Sequence, residues 1–73
     1  MDINEKINLL AEAMDVLPEE LHEDDDLTTN ENWDSLSKLA FLSLLQSKCS
    51  KRITPKDMSA VVKVSDALKL MEP

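Results

Sequence analysis

Apolar residues recur along the first segment at Ile3, Ile7, Leu10, Met14 and Leu17, spacings of four, three, four and three that put them on one stripe of a helix. Asp2, with Glu5 three residues later, supplies a cap and a reciprocating acid, and Pro18 closes the run, so the spacing predicts a first helix over Ile3 to Leu17. From Pro18 to Trp33 the periodicity is lost. Acids and Thr/Asn turn formers dominate there, and only Leu21, Leu27 and Trp33 could anchor this long loop to a core. A structureless connection of that length is uncommon in a compact domain unless it has a function.

Asp34-Ser35 then opens the most apolar stretch, Leu36 to Cys49, which suits a helix of about four turns. Its wheel has two faces: Phe41, Leu42, Leu45 and Cys49 on one side, Leu36, Leu39, Ala40 and Ser43 on the other. A small core can cover only one of them. The second stripe is therefore expected to be an exposed apolar patch, the kind of surface that marks a partner site. Thr54 before Pro55 predicts a short helix from Pro55 to Val62, and Ser65-Asp66 is read as the cap of another from Asp66 to Met71. No internal repeat or β-alternation appears. The expected fold class is all-α, a single domain over residues 1–73: a bundle of three main helices plus one short helix, with a long loop between helices 1 and 2.

Composition narrows the function. Seventy-three residues, 42% of them hydrophobic, allow one small core and leave little for a deep catalytic cleft. The chain has no glycine, which excludes a Walker loop, a dinucleotide-binding turn and a glycine-flanked nucleophile elbow. One cysteine forms neither an intramolecular disulfide nor a cysteine-based zinc site. The start Met1-Asp2-Ile3-Asn4-Glu5 has no signal-peptide character, and no run approaches the ~20 apolar residues of a membrane span, so a soluble cytoplasmic protein is expected.

The net charge of -7 is unevenly distributed: residues 1–34 carry 12 acids and one base, whereas residues 35–73 carry 3 acids and 7 bases. With only Trp33 and Phe41 as aromatics, the chain lacks the basic footprint and stacking platforms of a nucleic-acid binder. Basic or amphipathic protein surfaces are the expected partners.

Several side chains invite a chemical reading. Glu19, Glu20, Glu23, Asp24, Asp25 and Asp26 form an acidic cluster, but an EF-hand begun at Asp24 has Thr29 where glycine is required and Ser35 where the bidentate glutamate belongs, so no specific metal site is assigned. His22 and Ser35 could be a base and a nucleophile, yet without an elbow the histidine reads as an exposed loop residue. Cys49 is expected to be a small buried hydrophobe, and Trp33 a structural anchor for the loop. Asp34-Ser35-Leu36 reads, on residue types alone, as a helix cap.

The arrangement around that cap resembles the acyl carrier protein family. The likeness runs along nearly the whole chain: the first amphipathic helix, Leu-Pro-Glu-Glu-Leu at Leu17 to Leu21, Asp-x-x-Leu at Asp24 to Leu27, Trp-Asp-Ser-Leu at Trp33 to Leu36, and Val-Ser-Asp-Ala-Leu at Val64 to Leu68. The resemblance implies a non-enzymatic carrier whose Ser35 hydroxyl holds a covalent 4'-phosphopantetheine, installed from coenzyme A by a phosphopantetheinyl transferase. Acyl groups would travel as thioesters on the arm, exchanged with acyl-loading and acyl-transferring enzymes of fatty acid, lipid or secondary-metabolite biosynthesis, and the carrier would act as a monomer. Asp34, Leu36, Leu39, Ala40 and Ser43 would then be the partner-binding residues, rimmed by Ser37, Lys38 and Ser47. The chain departs from the family in having Trp33 where glycine is frequent. It also has Ser37, Lys38, Ala40, Gln46, Ser47 and Lys48 where acids usually line the helix, which implies a partner less basic than usual. The competing reading is an unmodified acidic helical module that binds a protein through Leu36, Leu39, Ala40 and Ser43.

Overall fold

The computed structural model describes residues 2–72. Its first helix, α1, spans Ile3–Met14 and starts where Asp2, in extended backbone, accepts the Glu5 N–H on its carboxylate at 2.8 Å. The helix stops before the apolar stripe does. Asp15 adopts the left-handed conformation (φ 58°, ψ 46°), and its N–H and that of Val16 turn back to the carbonyls of Ala11 and Glu12. Pro18 is thus not the terminator. Leu17, left outside the helix, is 59% exposed, and Ile3 at the other end of the stripe is also exposed, so burial is concentrated in Leu9, Leu10, Ala11, Ala13 and Met14.

The long acidic connection has local structure that its composition does not announce. Pro18–Glu20 and Leu27–Thr29 are single 3-10 turns. Glu20 accepts the Leu17 N–H, Asp25 that of His22, and Asp26 both the N–H and the hydroxyl of Thr28. Leu21, Leu27 and Trp33 are all buried, as the sequence predicts. The far end of the chain also holds the loop: Leu27 N–H donates to the Val62 carbonyl at 2.7 Å, while Val64 and Ser65 N–H groups donate to Asp25 and Glu23. These bonds form one isolated antiparallel bridge between Asp26 and Lys63, and the described residues contain no strand.

The second helix, α2, spans Ser35–Lys48, and two short helices follow, α3 at Pro55–Ser59 and α4 at Val64–Lys69. Thr54 caps α3 through a reciprocal pair with Asp57, but the helix ends at Ser59 rather than Val62, because the chain must straighten to present the Val62 carbonyl to Leu27. At α4 the cap is displaced from its expected place. Helical geometry begins at Val64, not Asp66, since the Asp66 carboxylate reaches back to accept the N–H groups of Val62 and Lys63. Helix α1 packs against α2 and α4, and the fully buried Leu10, Leu27, Phe41, Leu45 and Val64 occupy the centre of one shared core. The all-α bundle is therefore as expected, and among the described residues no helix is long and apolar enough to cross a membrane.

Candidate functional site

The start of α2 is fixed by its own cap. Asp34 is in extended backbone, its Oδ1 accepts the Ser37 N–H at 3.0 Å, and Ser37 Oγ accepts the Asp34 N–H at 2.8 Å. The Ser37 hydroxyl in turn donates to the Asp34 carbonyl. The Ser37 N–H, chiefly, holds the Asp34 carboxyl below its ordinary range by favouring the ionised form. This geometry corrects one expectation: Ser37 is only 5% exposed and belongs to the cap, so it does not rim a contact surface.

Ser35 lies between these two residues in sequence and points elsewhere. It is exposed, and its hydroxyl makes no hydrogen bond among the described residues. The second stripe lies on the same outer side of the helix, with Leu36 78% and Leu39 61% exposed and Ala40 and Ser43 also open to solvent. The opposite face carries Phe41 and Leu45 fully buried, with Leu42 and Cys49 half-buried against the core. Cys49, expected to be buried, is thus only partly covered, because it caps α2 one residue past the helix end.

Two open grooves flank the first turns of α2. One, of about 370 Å³, lies towards α3 and is lined by Ser35, Lys38, Leu39 and Leu42 together with Pro55, Met58 and Ser59. The other, of about 390 Å³, lies towards the end of α1 and includes Asp15, Asn32, Asp34, Leu36 and Ala40. Ser35 borders the first groove and Asp34 the second, so the pair marks the ridge between them. The contribution of α3 has no counterpart in the sequence reading. A five-residue helix has too few turns to show a face, and only Pro55 followed by Met58 hints at one.

Trp33 anchors the approach to this ridge. It is buried, and its ring meets Phe41 edge-on, with centroids 5.9 Å apart and planes at 67°, a favoured aromatic geometry. The Lys38 ammonium lies 6.0 Å from the Trp33 ring centroid, within cation–π range. Lys38 is half-buried and also lines the α3-side groove.

The remaining candidates stay apart from Ser35. His22 is exposed in the acidic loop and does not line the groove that Ser35 borders. Of the six clustered acids, Glu20, Asp25 and Asp26 have their carboxylates committed to turns, and no three metal-ligating side chains converge among the described residues. Chemically, the site offers an accessible hydroxyl on a rigid helix start, a lysine one turn on, and an apolar wall. No protein-family model matches the chain, and neither a curated protein nor a solved structure matches it.

Proposed function

We propose that this chain is an acyl carrier protein that becomes functional when a 4'-phosphopantetheine arm is attached to Ser35. The observation that carries the reading is the exposed, unbonded Ser35 hydroxyl in the first turn of α2, beside a groove walled by Leu39, Leu42, Pro55 and Met58. A serine committed to the cap, like Ser37, could not be reached by another enzyme; Ser35 can. In the attachment step the Ser35 Oγ–P bond forms and the pyrophosphate P–O bond of coenzyme A breaks. Adenosine bisphosphate leaves, and the hydroxyl proton passes to a base of the transferase. The helix N-terminus favours the negative phosphodiester so formed by about 0.3–1 kcal/mol. When bound, the arm supplies a thiol for thioester chemistry, while the chain supplies address and anchorage.

The residues around Ser35 have separate tasks in this reading. Asp34 and Ser37 hold the helix start rigid, so the attachment point is presented in one orientation. Leu36, Leu39, Ala40 and Ser43 offer the transferase and the acyl-handling enzymes a mainly apolar contact surface. The same exposed Leu36 and Leu39 favour the second reading, an unmodified module that binds a partner through this stripe. Intact mass separates the two. Incubation with coenzyme A and a broad-specificity phosphopantetheinyl transferase should add the mass of one arm. An unchanged mass, in a reaction that modifies a control carrier, rejects the carrier reading and leaves the module.

A further inference from the structure

Lys38 is the only lysine or arginine between Lys6 and Lys48. It stands three residues after Ser35 on α2, so the two are neighbours on the helix surface, with Cβ atoms about 5–6 Å apart. Both line the groove towards α3, whereas the groove on the other side of the ridge carries Asp15 and Asp34 and no cation. The charge around Ser35 is therefore lopsided, positive on one flank and negative on the other. Among the described residues Lys38 makes no ion pair; its ammonium rests near the Trp33 ring instead. A ring face is a weaker partner for an ammonium than an anion held within reach.

We infer that Lys38 is a positioning residue for the phosphodiester on Ser35: once the arm is attached, its ammonium leaves the Trp33 ring and pairs with the phosphodiester oxygens. The inference rests on the reading of Ser35 above and assigns to Lys38 a contact that the reading leaves open. The repulsive carboxylates of Asp15 and Asp34 act the same way from the other flank.

Two readouts on the arm-bearing protein test this without any acyl-handling partner, after intact mass has established that the arm is present. The first is the phosphorus NMR resonance, compared with the same protein unfolded in urea. In the wild type and in Lys38→Arg it should be displaced from the unfolded position and move back as salt is raised. In Lys38→Met it should lie closer to the unfolded position and respond less to salt. The second is the emission of Trp33, the only tryptophan, which attachment of the arm should change in the wild type and leave unchanged in Lys38→Met. Lys38→Gln replaces the methionine variant if circular dichroism shows that variant unfolded. A displacement as large in Lys38→Met as in the wild type, or a wild-type Trp33 emission indifferent to the arm, overturns the inference. Failure to add the arm at all instead overturns the carrier reading on which it rests.

Discussion

Asp34 and Ser37 satisfy each other's backbone: the carboxylate of the first accepts the N–H of the second at 3.0 Å, and the hydroxyl of the second accepts the N–H of the first at 2.8 Å. Because Ser37 is buried in this exchange, replacing it tests the fold and not docking. Ser37→Ala removes the acceptor for the Asp34 N–H and should cost about 1 kcal/mol. In a domain this small that corresponds to a fall in Tm of roughly 4–8 °C, measurable by thermal circular dichroism. An unchanged Tm would show that solvent replaces the hydroxyl without loss.

Stability should fall in acid through a particular set of side chains. Asp26, Asp34, Asp57 and Asp66 are all held below the ordinary 3.8, chiefly by N–H and hydroxyl donors of Thr28, Ser37, Thr54 and Lys63 respectively. Each carboxyl is thus more acidic folded than unfolded. Its contribution is fully present above the ordinary carboxyl range and is lost as pH falls through the lowered value. Tm should hold at mildly acidic pH and drop once pH passes below about 4. Asp34→Asn and Asp66→Asn should flatten that drop while lowering Tm at neutral pH. A wild-type Tm that rises continuously to the lowest pH would mean that relief of acidic repulsion outweighs the caps.

Exposure separates the two faces of α2. Phe41 is fully buried, so Phe41→Ala should cost about 3–5 kcal/mol. Leu39 is 61% exposed, so Leu39→Ala should change stability by no more than about 0.5 kcal/mol. If this stripe is the docking surface, the same Leu39→Ala should reduce kcat/KM for arm transfer to Ser35. Covering the side chain is worth up to ~2 kcal/mol, or roughly 30-fold. Unchanged transfer kinetics would remove Leu39 from that contact.

Much of this architecture is legible in the sequence because its signals are long-range in period or strong in residue type. The two long helices follow from their apolar spacing. Leu21, Leu27 and Trp33 stand out as loop anchors because so little else around them is apolar. The two faces of α2 separate on the wheel as they do in space. What escapes is set by contacts distant in sequence. The Leu27–Val62 backbone bond that shortens α3 and the α3 wall of the groove have no local signature. Ser37 is misread as surface because a serine one position from an exposed leucine gives no sign that its hydroxyl is turned back to the cap. Lys38 is likewise legible as a charge but not as the neighbour of the Trp33 ring.

The acidic loop should respond to cations collectively. Six acids fall within the eight residues Glu19 to Asp26, and Glu19, Glu23 and Asp24 have no hydrogen bond to occupy their carboxylates among the described residues. Neutralising that repulsion should stabilise the fold. Millimolar Ca²⁺ or Mg²⁺ should raise Tm more than a monovalent salt of equal ionic strength. Equal effects would show that screening alone is sufficient.

Locating the modification decides whether Ser35 carries the arm. After reaction with coenzyme A and a phosphopantetheinyl transferase, the protein should be digested and its peptides sequenced by fragmentation mass spectrometry. The chain has seven serines, and Ser37 is only two positions from Ser35, so assignment to a single residue is decisive. One arm per chain is expected, on Ser35 alone, and none on Ser35→Ala that circular dichroism shows to be folded. An arm on any other serine, or a folded Ser35→Ala protein that is still modified, would contradict that assignment.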